Sequence, residues 1–504
     1  MSDLRTSQQI RVLEIDPVVA QAAADRALTL VDEAQPGSSA RTVTGQWQRV
    51  VMVGIPVIFI ACAVWRPLTT SIAFAWISTV TYLCVIAHRV SVFRASLDAD
   101  PAIRISDEAA RAYPDELLPT YTVLVPAFRE PEVIRILVDA MKRLEYPRDR
   151  LEILLLLEEG DDETLAAATA IVTDLPIVVV VVPQGTPQTK PRALNYGFMQ
   201  SNGDLVTIFD AEDQPEPLQL RRAAIAMSTL GPEWACLQAR LEFYDADTNL
   251  LTKWFATEYL TWFTCFLPGL MAKGAPLPLG GTSNHFRREA LDVVGAWDPY
   301  NVTEDADLGL RLERSGFRVG MIDSYTLEEA NSDVVNWVKQ RSRWQKGYLQ
   351  TALVHLRRPR ELRRQVGWKG LGHLVAFVLG TPVLALLNLL FWSMSVIWLV
   401  TGTDLIERMF PGTVFYLATG SWLIGNAVIL YLGIVSLLVT RRSELLWSAF
   451  LTPLYWILMS IASLRATIQL MINPSYWEKT QHGLRPHEVA DIDLRDGVDA
   501  EVGE

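Results

Sequence analysis

The sequence predicts an α/β domain with a mostly parallel sheet, set between apolar segments long enough to cross a membrane. Short apolar runs alternate with amphipathic stretches between Leu118 and Leu241, and membrane-length apolar stretches flank that region on both sides. Half of the 504 residues are hydrophobic and 16 are Trp, which excludes one small domain. The net charge of -12 excludes a nucleic-acid surface, which needs clustered Lys and Arg. Cys62, Cys84, Cys236 and Cys265 show neither metal-ligand nor disulfide-framework spacing, which fits a reduced compartment for the soluble part.

Residues 1–46 mix charges with Ala, end on the Pro36-Gly37-Ser38-Ser39 break, and read as a disordered cytoplasmic tail. Residues 47–92 hold two apolar runs, 50–65 and 71–87, parted by Arg66-Pro67, and read as a transmembrane hairpin. Arg41, Arg49, His88, Arg89 and Arg94 lie beyond its ends, whereas the turn holds Arg66 alone. Positive residues stay inside, so both ends face the cytosol.

Residues 93–365 form the expected cytosolic domain, with strands at 121–125, 152–157, 177–182, 205–209 and 235–241 and a helix at 133–144. Ligands of such sheets bind beyond the carboxyl ends of the strands. The aromatic stretch 251–271 reads as an interfacial helix. Residues 366–472 return to the membrane: Thr381-Pro382 divides 371–400 into a surface part and a crossing, 414–439 crosses back, and Arg441-Arg442 marks the cytosolic side. Residues 445–472 carry Ser460, Ser463, Arg465 and Gln469 in their second half, so that half is expected at the interface or against protein. A loop at 473–486 and an acidic disordered tail at 487–504 follow.

Four strings at strand ends and helix starts carry chemistry. Asp210-Ala211-Glu212-Asp213 follows the strand at 205–209, and carboxylates at i and i+2 there can point into one cleft. They suit a hard divalent ion, Mg²⁺ or Mn²⁺, whose shell phosphate oxygens and water complete; Asp210 is one ligand, and Glu212 or Asp213 the other. Lys190-Pro191-Arg192-Ala193-Leu194-Asn195 puts a cation at a helix N-terminus, which suits a diphosphate. Thr303-Glu304-Asp305 follows the flexible Gly280-Gly281-Thr282-Ser283-Asn284 and reads as a helix cap, as a carboxylate able to take a hydroxyl proton, or as both. In Gln340-Arg341-Ser342-Arg343-Trp344, Arg343 is a permanently charged planar donor, and Trp344 offers a flat face to a pyranose ring.

In this order, between membrane-length segments, the strings resemble the processive family-2 glycosyltransferases, the group of cellulose, hyaluronan and related β-glycan synthases. The resemblance spans roughly residues 118–344, with a further match near Tyr476. It implies a GT-A-like fold, a UDP-sugar donor (UDP-glucose first), membrane lipids around the helices, and inverting transfer to a growing β-glycan at the plasma membrane, with the catalytic domain cytosolic. By resemblance Asp305 is the base, and Asp210 with Glu212 stands for the family's Asp-x-Asp metal pair. Lys190 is a nucleotide contact through the Lys-x-x-Ala-Leu-Asn pattern, while Gln340, Arg343 and Trp344 hold acceptor and diphosphate. Where the family places an Asp after the second strand, this chain has Glu158-Glu159-Gly160-Asp161-Asp162, so either Glu159 or Asp161 serves, Glu159 preferred. Tyr476-Trp477-Glu478-Lys479-Thr480-Gln481-His482-Gly483 looks similar to the Phe-x-Val-Thr-x-Lys gating loop, with Thr480 for its Thr and His482 for its Lys. A lipid acceptor is the alternative, because ceramide and diacylglycerol glucosyltransferases carry the same Gln-x-x-Arg-Trp pattern. A non-catalytic receptor or scaffold has no physical need for this set.

Overall fold

A run such as Ile177-Val178-Val179-Val180-Val181-Val182 shows no alternation because both its faces are covered, the condition of a strand inside an α/β sandwich. The computed structural model describes residues 8–404, 408, 412–474 and 476, and a nine-stranded sheet is its centre. The strands are β1 (Arg11–Val12), β2 (Tyr121–Ala127), β3 (Leu151–Glu158), β4 (Ile177–Val182), β5 (Leu205–Ile208), β6 (Gln214–Pro215), β7 (Trp234–Phe243), β8 (Asn284–Arg287) and β9 (Arg318–Glu328). They lie in the order β1-β4-β3-β2-β5-β8-β7-β9-β6. From β1 to β5 every neighbouring pair is parallel, and β9 is parallel to β7. β8 runs against both its neighbours, so its amino end brings Gly280-Gly281-Thr282 to the rim where β2, β3, β5 and β7 terminate.

Around the sheet run α1 (Pro17–Arg26), α2 (Gln46–Trp65), α3 (Pro67–Ala99), α4 (Lys190–Gln200), α5 (Leu250–Leu260), α6 (Glu304–Arg314), α7 (Val334–His355), α8 (Gly380–Thr401), α9 (Thr413–Val439) and α10 (Thr452–Ile472). Among the described residues five helical spans are long and apolar enough to cross a membrane: Gln46–Trp65, Pro67–Ala99, Pro359–Thr401, Phe415–Val439 and Thr452–Ile472. The last, which the sequence suggested does not fully cross, is one helix of 21 residues. It lies beside α7: the Tyr455 and Trp337 ring centres are 4.8 Å apart, and Gln345 Nε2 reaches Met459 Sδ at 3.1 Å. The division expected at Thr381-Pro382 is displaced. Helix continues through Pro382, and the missing amide and ring clash are absorbed one turn earlier by the π-helical Leu374–Leu379.

Residues 8–46 are not a disordered tail. β1 pairs with β4, α1 packs against α4, and Ala24, Ala27, Val31 and Ala40 are buried. The segment then reaches the far side of the domain, where Asp298 accepts from Ser39 Oγ at 3.0 Å and from the Ala40 amide at 2.5 Å. Small side chains make these contacts, which is why charge and Ala content suggested disorder.

The aromatic stretch 251–271, expected as an interfacial helix, is largely buried. It forms α5, a π-helical Thr261–Phe266 and the helix Leu267–Ala272, with Trp254, Phe255, Leu260 and Leu267 buried between the domain and the membrane-length helices. Its closest approach is at Gly269, where an added Cβ would fall 2.0 Å from the Val92 carbonyl oxygen of α3. Backbone on both sides cannot yield, so Gly269→Ala is expected to cost about 1–3 kcal/mol. A lower thermal midpoint of the detergent-solubilised protein would show it; an unchanged midpoint would mean that α3 slides freely over this helix.

Candidate active site

A cavity of about 400 Å³ opens at the rim. β2 and β3 contribute Pro126, Ala127 and Glu158, α4 contributes Lys190, and the turn after β5 contributes Asp210, Glu212 and Asp213. The start of α6 adds Glu304 and Asp305; α5 and α7 add Glu258, Tyr259, Gln340, Arg343 and Trp344; and Thr381 enters from α8. Asp210, Glu212, Lys190, Asp305, Gln340, Arg343 and Trp344, up to 154 residues apart in sequence, therefore share one chamber.

The acidic turn is held by its own third carboxylate. Asp213 Oδ2 accepts from the Asp210 amide at 2.7 Å and from Thr282 Oγ1 at 2.5 Å, which ties the β5 turn to the glycine loop. Burial, then Asp210 and Glu212, push Asp213 well above the usual carboxylate range. Lys190 Nζ bridges the same two loops, 2.5 Å from Asp210 Oδ1 and 3.1 Å from the Gly281 carbonyl. Across the loop, a Cβ on Gly281 would lie 3.5 Å from Asp305 Oδ2, so only a bare backbone separates the two acidic groups.

α6 begins at Glu304 with Thr303 as its cap residue, and the Ala306 amide donates to Asp305 Oδ1 at 2.8 Å. Burial raises Asp305, against the pull of that amide, Lys190 and Arg343. Burial and then Asp305 push Glu304 up to about 8. Arg343 is lowered by burial, while Glu304, Asp305 and Asp210 favour its charged form. The guanidinium thus feels carboxylates from both the start of α6 and the acidic turn.

Among the described residues no group of three or more His, Cys, Asp or Glu forms a ready-made ion cage. One or two carboxylates suffice for an ion that takes the rest of its shell from phosphate and water. The residues present fit such an ion: Asp213 Oδ1 is buried without a hydrogen-bond donor, and Asp210 and Glu212 stand on the same wall. Asp213 Oδ2 is taken up by the turn, and Asp210 Oδ1 by Lys190.

Glu159 is set apart from the main chamber. Its Oε2 accepts from the Gln184 amide at 2.9 Å, and it borders an adjoining polar cavity of about 370 Å³ that shares Phe128 and Gln188 with the first. Asp161 is occupied in a turn, accepting from the Arg129 amide at 2.6 Å and capping the next helix through Thr164. Glu158 faces the main chamber, paired with Arg192 at 3.5 Å. Thr480 and His482 lie outside the described residues.

Sequence reasoning also missed Glu258 and Arg341. The Arg341 guanidinium lies 4.4 Å from the ring centres of both Phe255 and Trp344 and bonds Glu258 at 2.5 Å and Tyr455 Oη at 3.2 Å. It thereby fixes the Trp344 plane, which stacks at 25° on Tyr259 with ring centres 6.1 Å apart. Glu258 is the one acidic residue in the stretch 251–271, and that isolation was the available signal.

Residues 119–347 match the family model described as Glycosyltransferase like family 2. That match covers 229 of the 504 residues, a little under half of the chain. The fold is an α/β arrangement with a mostly parallel sheet. The chain is 29% identical over 259 residues to the Probable glycosyltransferase YdaM of Bacillus subtilis, covering 49% of this chain and 60% of the relative. It is 28% identical over 323 residues to the Beta-monoglucosyldiacylglycerol synthase of Synechocystis sp., covering 63% and 65%. The Probable glucomannan 4-beta-mannosyltransferase 15 of Arabidopsis thaliana is 27% identical over 237 residues, covering 45% and 44%. The matches thus span between 44% and 65% of the length of these relatives. Among solved structures, Mannosyltransferase PcManGT from Pyrobaculum calidifontis in complex with GDP-Man and Mn2+ aligns with a TM-score of 0.49 at 17% identity, covering 80% of this chain and 99% of that one.

Proposed function

We propose that this chain is a membrane-bound inverting hexosyltransferase that moves a sugar from a nucleoside diphosphate, UDP-glucose first among candidates, to a growing β-glycan and passes the product outward between its own helices. The observation that carries this reading is the meeting of Asp210, Glu212, Lys190, Asp305, Arg343 and Trp344 around one chamber. Trp344, held flat by Arg341, presents the acceptor sugar to Asp305. Asp305, made more basic by burial, takes the proton from the acceptor hydroxyl as that oxygen attacks the anomeric carbon. The bond to the diphosphate breaks with its electron pair on the leaving oxygen, Arg343 meets the new charge, and an α-linked donor gives a β-linkage. A divalent ion on Asp210 and Glu212 would supply Lewis-acid stabilisation of the leaving diphosphate.

In this reading the domain lies on the cytosolic face of the plasma membrane, with both ends of the α2–α3 hairpin inside. Lys346 Nζ, on the turn after Trp344, donates to the Tyr476 carbonyl at 2.5 Å, so the chain leaving α10 starts beside the site. The resemblance of the stretch that follows to a gating loop assigns Thr480 and His482 to the donor phosphates. A second reading, transfer to a lipid, is favoured by the relative named Beta-monoglucosyldiacylglycerol synthase.

Purified full-length protein given radiolabelled UDP-glucose or, in parallel, GDP-mannose with Mg²⁺ or Mn²⁺ separates these outcomes. A large, lipid-free product supports the glycan reading; label in the organic phase supports the lipid one. EDTA is expected to stop transfer and added Mg²⁺ or Mn²⁺ to restore it. Turnover that resists the chelator would remove the ion from the mechanism.

A further inference from the structure

We propose that the chamber holds a second acceptor subsite, for the penultimate sugar of a glycan, formed by Gln345, Tyr348, Trp262 and Glu258 one helical turn beyond Trp344. This rests on the reading of the chamber as the transfer site, and it names the class of acceptor. On α7, Gln340, Trp344 and Tyr348 recur every four residues and so share a face, with Gln345 beside them. Successive turns are about 5.4 Å apart, comparable to the length of one pyranose in an extended β-linked chain. If one ring lies on Trp344, the next falls level with Tyr348.

The groups waiting there are those a sugar would satisfy. Gln345 and Gln340 are 5% and 8% exposed, both line the chamber, and the amide oxygen of each is buried without a hydrogen-bond donor. The Gln345 amide is fixed by its Nε2 contact to Met459, which turns Oε1 into an acceptor with nothing to accept. Glu258 presents a carboxylate to the same space, oriented by Arg341 and Tyr455. The Trp262 and Tyr348 rings, 6.2 Å apart and tilted by 30°, supply apolar faces.

Aromatic faces interleaved with acceptors that lack donors match a ring carrying several hydroxyls. An acyl chain has no donor to give and would press hydrocarbon against a carboxylate and two bare amide oxygens. The subsite therefore selects a saccharide over a diacylglycerol at this depth, and the polymer outcome over the glycolipid.

The test uses full-length protein in detergent with the donor that yields nucleoside diphosphate, plus β-linked gluco- and manno-oligosaccharides of one, two and three units. The disaccharide is expected to show a KM about tenfold below that of the monosaccharide, the scale of one hydrogen bond with one ring contact. Gln345→Ala and Tyr348→Ala should each bring that ratio close to one, and Tyr348→Phe should retain most of it. Calorimetric binding of nucleoside diphosphate verifies that each variant is folded. Diphosphate release without preference for the disaccharide, or label that partitions into the organic phase, overturns the subsite and leaves the transfer reading standing. No release from any donor overturns both.

Discussion

Asp305→Asn is expected to lower kcat by about 10²–10⁴-fold, the usual contribution of a positioned general base, with little change in the donor KM. The substitution keeps the side chain's size and its Oδ1 contact with the Ala306 amide, so α6 still starts in place. What disappears is the lone pair that accepts a proton. The adjacent Glu304 keeps the burial that is the first cause of its raised pKa, although the push of the Asp305 charge goes with the substitution. Steady-state release of nucleoside diphosphate measures the loss. Turnover close to that of the parent protein would place the base elsewhere and end the mechanism given above.

The strands were legible because each is an apolar run of the right length between turn residues, and all five expected ones form. Their order in the sheet was not, since a run buried on both faces carries no record of its neighbours. β8 shows the consequence. Its reversed direction brings Gly281 to within reach of Asp305, and the residues of the loop give no hint of it. The site strings at Lys190, Asp210, Asp305 and Arg343 were readable from residue type and position after a strand or before a helix. Glu158 against Glu159 was not readable, because one residue of register decides which side chain faces the chamber. Arg341 escaped for another reason: nothing in Gln340-Arg341-Ser342 tells which groups it meets in space. Only the fold reveals that its partners, Glu258 and Tyr455, come from α5 and α10.

The largest stability effect is expected at Asp307, two residues after Asp305. Asp307 Oδ2 accepts from Arg311 Nε at 2.6 Å, Asp307 Oδ1 faces His355 Nε2 at 2.9 Å, and none of the three side chains touches solvent. Arg311 also donates to the Val294 and Ala296 carbonyls at 2.7 Å each, so it cannot swing out to water. Asp307→Asn keeps the shape and removes the counter-charge, leaving a buried guanidinium, at a cost of about 3–5 kcal/mol. The pH dependence has a definite sign. Arg311 and His355 outweigh burial and hold Asp307 at about 2, so its stabilisation is complete above the ordinary carboxylate range and lost as pH falls through about 2. Burial keeps His355 neutral and lowers it, so the unfolded chain binds the proton first and stability begins to fall below about pH 6.5. Acid therefore weakens the parent protein on both counts. The variant should start from a lower thermal midpoint and lose the Asp307 step. Because α6 carries both Asp305 and Asp307, residual activity of Asp307→Asn should follow the folded fraction as temperature rises, rather than vanish at low temperature. A midpoint equal to the parent's at neutral pH would show that the cluster carries no stability, and that Arg311 finds its compensation in the carbonyls alone.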